Sequence, residues 1–158
     1  MSDEQAIQDE LSSKFPFLKD KITITRPRRM FASVPAANVM EVFDHAVRKM
    51  DFSILCTITG LDQPPEAFEV MYHLTRPAGV VLTLVTSVPK SAPVLASIAS
   101  YFPAADCYER ELIDMLGMDI QGLQPGNRYP LPEGWPNGVY PLRKDCDLSV
   151  LDKQGGAQ

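Results

Sequence analysis

Motifs that would point to a bound cofactor are missing from this 158-residue chain. Neither glycine-rich phosphate-binding pattern, GxGxxG or GxxxxGKS/T, occurs, so the sequence gives no support for a nucleotide site. The three cysteines lie far apart and form no CxxC pair. That spacing argues against a disulfide framework, a zinc site and an iron–sulfur cluster held by this chain alone. We therefore expect reduced thiols and no bound cofactor or metal.

Long apolar runs and a surplus of basic residues are missing as well. The longest strongly apolar stretches, residues 79–85 and 93–102, are far shorter than the roughly 20 residues that span a bilayer. The chain begins with a polar, acidic segment, so a signal peptide is not expected. The formal net charge of −5 argues against nucleic acid as a partner. We expect a cytoplasmic chain that does not insert into a membrane but could dock on a membrane complex.

Periodic patterns in the first 50 residues predict two helices and two short strands. Ala6, Ile7 and Leu11 at helical spacing predict a helix over residues 3–14, which Pro16 ends. The β-branched alternation over residues 21–33 is interrupted at Pro27, which predicts two strands or one bent strand. A second, amphipathic helix is predicted because one face would carry Val39, Phe43, Ala46, Val47 and Met50.

The next part of the chain predicts a sheet. Residues 52–59 are apolar and β-branched, as expected for a central strand with Cys56 buried in it. Residues 68–75 alternate between apolar and polar side chains, and residues 79–87 form another strand. Tight turns between consecutive strands predict an α+β fold, with a mostly antiparallel sheet and helices packed on one face.

Two more helices are predicted before regular structure ends. Residues 91–102 can form a helix, and Asp106 can cap another that runs over residues 108–116 and stops at Gly117. On that last helix Asp106, Arg110 and Asp114 follow each other at i, i+4 spacing, which predicts a ladder of charges.

Beyond Gly117 the sequence predicts an irregular arm. Residues 122–141 contain five prolines and four glycines, which disfavour helices and interior strands. The same residues include Tyr129, Trp135 and Tyr140, which favour burial. Either the segment packs back over its own sheet, or it is an extended arm laid along a second protein. We expect a core domain over residues 1–117 and a partner-binding C-terminal arm over residues 118–158.

The densest group of ionisable residues is Glu109, Arg110, Glu111 and Asp114. Adjacent carboxylates could act as general acid and base, but Glu109 and Glu111 would lie about 200° apart around a helix. Glu111 and Asp114 are neighbours at i+3, so a free-standing small enzyme or ligand-binding domain that uses this pair is the alternative hypothesis. A structural charge network is the favoured interpretation, and His45 and His73 are expected to be surface or packing residues.

The motifs ERELIDMLG (residues 109–117) and YPLRKD (residues 140–145), with LPEGWP (residues 131–136) between them, resemble the C subunit of complex I. This is the 30 kDa subunit of NADH:quinone oxidoreductase, and related subunits occur in energy-converting NiFe hydrogenases. ITGLDQ (residues 58–63) and FEVMYHL (residues 68–74) are also similar to that family. The family usually has the stretch His-Pro-Asp-Leu-Arg-Arg between the two motifs. Here residues 122–132 read GLQPGNRYPLP, which lacks the histidine and keeps only Arg128 of the arginines. This stretch is more similar to the hydrogenase branch of the family.

The resemblance implies a non-catalytic subunit that holds no cofactor. It would clamp the large subunit that carries the quinone site or the NiFe centre, beside neighbouring iron–sulfur subunits, at the inner face of the cell membrane. The first motif would anchor the arm to the domain, and Arg143 and Lys144 would meet carboxylates or carbonyls of the partner. We also expect that the isolated chain could form a homodimer. The motif and partner-binding residues are Glu109, Arg110, Glu111, Asp114, Gly117, Arg128, Trp135, Tyr140, Pro141, Leu142, Arg143, Lys144 and Asp145.

Overall fold

The computed structural model describes residues 3–63 and 65–149. Three α-helices are interspersed with seven strands over these residues. The helices are α1 (Asp3–Lys14), α2 (Val39–Lys49) and α3 (Ala105–Leu116). The strands are β1 (Ile22–Arg26), β2 (Arg29–Ser33), β3 (Ile54–Gln63), β4 (Ala67–Thr75), β5 (Val81–Pro89), β6 (Val94–Ala96) and β7 (Asp119–Gln121). Within the described ranges, no helix has the length and apolarity needed to cross a bilayer.

The main sheet has five strands in the order β1-β2-β5-β4-β3. Strands β1 and β2 pair antiparallel, whereas β2 and β5 pair in parallel. The predicted α+β class with a mostly antiparallel sheet is confirmed. Strands β6 and β7 form a separate parallel pair.

The chain divides into two compact units, of which the first comprises Met1–Thr59 and Glu69–Val88. Helices α1 and α2 agree with their sequence predictions, since α1 buries Ile7 and Leu11 and α2 buries Val39, Phe43 and Ala46 of its predicted stripe, with Val47 half-buried. Phe43 on α2 meets the Tyr72 ring on β4 edge to face, with 5.7 Å between ring centroids. The strict alternation of buried residues along β4 also follows the sequence pattern.

The second unit comprises Gly60–Phe68 and Pro89–Gln158. Its helix α3 ends at Gly117, which adopts a left-handed conformation with φ of 71°, as predicted for a C-terminal glycine. Gly60 on β3 lets this helix approach closely. A Cβ atom at position 60 would lie 2.5 Å from Leu112 Cδ2 and 2.6 Å from Leu116 Cδ1.

Three sequence predictions about local structure were wrong. Strand β3 lies at the edge of the sheet rather than in its centre, and Cys56 on it is exposed. Residues 91–102 form strand β6 and turns instead of a helix, because residues 94–96 pair with the distant strand β7 and tertiary pairing overrides local preference. Helix α3 begins at Ala105, so Asp106 lies in its first turn and does not cap it.

Candidate partner-binding surface

Glu109, in the second unit, is only 2% exposed. Its carboxylate accepts a hydrogen bond from Ser97 Oγ and one from the backbone N–H of Ile98, both at 2.6 Å. Burial raises the pKa of Glu109, and these two hydrogen bonds offset only part of the rise. The residue therefore ties the turn after β6 to helix α3.

Arg110 connects helix α3 to the irregular segment that follows it. Its guanidinium binds Asp106 through Nε at 2.7 Å and Nη2 at 2.8 Å, and this hydrogen bonding lowers the pKa of Asp106. The same Nη2 donates to the carbonyl of Gln124 at 2.8 Å. A side chain at Gly126 would collide with this guanidinium, since its Cβ would be 2.5 Å from Nη2.

Asp114 does not extend the predicted ladder along the helix, since it pairs with Arg128. Arg128 Nε lies 3.1 Å from Asp114 Oδ1, and the side chain of Asp114 is 7% exposed. Asp114 Oδ2 also accepts the backbone N–H of Leu131 at 3.3 Å. Further along, Arg128 Nη1 donates to the Trp135 carbonyl and the Trp135 indole donates to the Val139 carbonyl, each at 2.8 Å. Side chains thus supply the bonds that regular structure would otherwise provide.

The second motif returns to the end of helix α3. Arg143 Nε donates to the carbonyl of Leu116 at 2.6 Å, which places a cation at the negative end of the helix. Its guanidinium stacks on the Tyr140 ring at 4.5 Å and on the Phe68 ring at 5.1 Å. A Cβ at Gly117 would lie 2.5 Å from Tyr140 Cζ and 2.7 Å from Arg143 Nη2, so glycine permits this arrangement.

Asp62 at the end of β3 also belongs to this surface, although the sequence did not predict a role for it. Its side chain is 1% exposed and lies 2.6 Å from Lys90 Nζ, and it accepts the backbone N–H of Lys144 at 2.8 Å. Burial opposes ionisation, but the contacts with Lys90 and Lys144 outweigh it and lower the pKa of Asp62. The only sequence signal was its place in ITGLDQ, one of the segments that resemble the family.

The remaining motif residues differ in exposure. Leu142, Lys144 and Asp145 are exposed, whereas Trp135, Tyr140 and Pro141 are half-buried. Glu111 is half-buried and does not line the cavity of about 110 Å³ that Asp114 lines together with Arg110 and Arg128. That cavity therefore does not bring together the carboxylate pair of the alternative hypothesis.

The two histidines make contacts within the first unit. His73 is flanked by the hydroxyls of Thr59 and Thr83 at 3.2 and 3.1 Å, and burial lowers its pKa. His45 Nε2 lies 3.0 Å from Glu10 Oε1. Among the residues with assigned structure, no three His, Cys, Asp or Glu side chains are grouped as they would be around a metal ion.

Fold and site together define an α+β protein whose charged motif residues hold a long irregular segment against helix α3. The chain belongs to the family described as respiratory-chain NADH dehydrogenase, 30 Kd subunit, whose profile matches residues 32–150. The resemblance of the two motifs to this family is therefore confirmed.

Individual relatives come from several kinds of complex. The chain is 30% identical over 147 residues to the C subunit of the F(420)H(2) dehydrogenase of Methanosarcina mazei, covering 92% of each chain. It is 37% identical over 76 residues to the beta subunit of the membrane-bound hydrogenase of Pyrococcus furiosus, covering 48% of this chain and 44% of that one. A chain of the membrane-bound sulfane sulfur reductase, an archaeal respiratory membrane complex, has the same fold, with a TM-score of 0.81, 23% identity and coverage of 98% and 92%.

Proposed function

We propose that this chain is a non-catalytic subunit in the hydrophilic arm of a membrane-attached oxidoreductase, of the NADH:quinone oxidoreductase type or the energy-converting NiFe hydrogenase type. It docks on the large catalytic subunit that carries the quinone site or the NiFe centre. Electrons pass through other chains, including the neighbouring iron–sulfur subunits, and the complex lies at the inner face of the cell membrane. Membership of the family and the complexes named for its relatives support this proposal.

One structural observation carries the docking hypothesis. The charged groups of both motifs make contacts inside the chain: Glu109 with Ile98, Arg110 with Asp106, and Arg143 with Leu116. Such a network supports a scaffold better than a catalytic centre, since its buried groups already have partners. It presents Leu142, 48% exposed, and the exposed Lys144 on a segment without regular structure. We infer that these two exposed side chains meet the large subunit.

Arg143 and Lys144 have different parts in this proposal. The Nε atom of Arg143 donates to the Leu116 carbonyl and its guanidinium contacts the Tyr140 and Phe68 rings, so the residue chiefly shapes the arm. Lys144 uses its backbone N–H to bind Asp62, whereas its side chain is exposed. We expect the arm formed by residues 118–158 to bind the large subunit. Within it, Lys144 should contact a carboxylate of that subunit more strongly than Arg143 does.

Deletion of the gene followed by complementation tests the proposal. Membranes of the deletion strain should lose the large catalytic subunit, and expression of the full chain should restore both the oxidoreductase activity of the membranes and this large subunit. The purified chain alone should have no such activity. Retention of an assembled, active complex in the deletion strain would refute the proposal, as would electron-transfer activity of the purified chain.

A further inference from the structure

A small cavity lies where the end of strand β3 meets the second motif. It is about 250 Å³ in volume and is lined by Gly60, Leu61, Asp62, Gln63, Leu142 and Lys144. We call it the leucine notch, because Leu61 and Leu142 are 40% and 48% exposed. Pockets for small molecules usually measure roughly 300–1,000 Å³, so the notch is better suited to a single side chain than to a cofactor.

Hydrogen bonds hold the backbone on one side of the notch in place. The N–H of Leu142 donates to the carbonyl of Met115 on α3 at 3.1 Å, and the N–H of Lys144 donates to Asp62 at 2.8 Å. Leu142 is thus held through its own N–H, and the next residue, Arg143, is held by its contact with the Tyr140 ring. The exposure of Leu142 therefore results from a defined backbone geometry. A preorganised apolar site loses little conformational entropy when a partner binds.

The charges at the notch favour a partner with an acidic side chain. Among the described residues that line the notch, Asp62 is the only carboxylate, and Lys90 already forms a salt bridge with it at 2.6 Å. Lys144 lines the cavity and is exposed. Because Lys90 already neutralises Asp62, the exposed Lys144 would favour a carboxylate of the partner by electrostatic complementarity.

We propose that the leucine notch receives one apolar side chain of the large catalytic subunit, flanked within one or two residues by an Asp or Glu that pairs with Lys144. This inference rests on the proposed function and adds the place and chemistry of the contact. Leu61 and Leu142 cover the apolar side chain, and Lys144 binds the carboxylate at its edge. An apolar side chain that fills a pocket contributes to affinity, and a complementary charge at the edge adds specificity and speeds association.

Site-specific photo-crosslinking in the full chain tests the notch. A benzophenone amino acid replaces Leu61 in cells that express no other copy of this chain. In the control it replaces Ile24 on β1, which is 37% exposed. Position 61 should cross-link to a peptide of the large subunit that contains an apolar residue beside an Asp or Glu, and position 24 should not. A cross-link from position 61 to a different subunit, to a second copy or to the chain itself would overturn the inference.

Reversing the charge of Lys144 provides a second test, which distinguishes failure of the notch inference from failure of the proposed function. Lys144→Glu should lower about tenfold the amount of the large subunit that the tagged chain captures, whereas Lys49→Glu at the exposed end of α2 should not. Circular dichroism and thermal unfolding of both variants would establish that they fold. Undiminished capture by the folded Lys144→Glu variant would overturn the notch and leave the proposed function standing. No capture by the unmodified chain would refute both.

Discussion

The carboxylate of Asp62 accepts the backbone N–H of Lys144 at 2.8 Å, although 82 positions separate the two residues in sequence. The same carboxylate lies 2.6 Å from the ammonium of Lys90. The end of an edge strand therefore positions the second motif. Because the Asp62 side chain is 1% exposed, its loss would leave both a cation and an N–H group with poorer partners.

Replacing Asp62 with Asn should destabilise the protein by roughly 2–4 kcal/mol at pH 7, because it leaves the mostly buried Lys90 without its counter-charge. The lowered pKa of Asp62 means that its ionised form stabilises the folded state. This contribution is present above about pH 4 and is lost as pH falls through the folded-state pKa. Urea unfolding of both proteins from pH 2 to 7 should show the difference shrinking in acid. A constant difference would contradict this role.

Alanine substitutions at two glycines with positive φ, Gly117 and Gly122, distinguish the cost of backbone strain from the cost of a steric clash with neighbouring side chains. Gly117→Ala should cost about 2–4 kcal/mol, because it adds a collision with Tyr140 and Arg143 to the cost of a left-handed alanine. Gly122→Ala is the matched control, since φ is 86° and nothing lies within 4 Å of the added Cβ. Its cost should be only about 1 kcal/mol. Equal costs in chemical denaturation would show that the second motif does not pack on Gly117.

The pair of Arg128 and Asp114 should be coupled more strongly than a surface pair. A double-mutant cycle with Arg128→Ala and Asp114→Ala should give a coupling energy of about 1–3 kcal/mol, since their side chains are 23% and 7% exposed. The corresponding cycle for Arg48 and Asp44, 64% and 44% exposed on α2, should give about 0.3–0.5 kcal/mol. Similar couplings in the two cycles would mean that Arg128 does not fasten the arm.

Glu109 should make stability depend on pH in the opposite sense to Asp62. Its pKa is raised by burial, so the folded state binds this proton more tightly than the unfolded chain does. Stability from this group is complete below about pH 4.5 and is lost as pH rises through the folded-state pKa. The free energy of unfolding, measured from pH 4 to 8, should therefore fall relative to that of Glu109→Gln as pH rises. Parallel pH profiles would contradict the raised pKa.

Features with local causes could be predicted from the sequence. The apolar stripe of α2, the alternation along β4 and the stop at Gly117 all follow from residues that are neighbours in sequence. The charge network predicted for helix α3 also contains a contact between residues close in sequence, since Arg110 binds Asp106 one turn away.

Features with distant causes could not be predicted. Residues 94–96 became a strand because β7 pairs with them, and the edge position of β3 is a property of the whole sheet. An apolar, β-branched segment has the same composition at an edge as in the centre, so Cys56 was wrongly expected to be buried. The bond between Asp62 and Lys144 has no signature in either local sequence.

Affinity capture from native membranes tests the central claim most directly. The tagged chain, expressed from its own promoter, would be purified in mild detergent, and the proteins bound to it would be identified by mass spectrometry. The account predicts that a large quinone-site or NiFe subunit is captured together with iron–sulfur subunits in stoichiometric amounts. Recovery of the 17.5 kDa chain alone, or with itself as its only partner, would contradict the account.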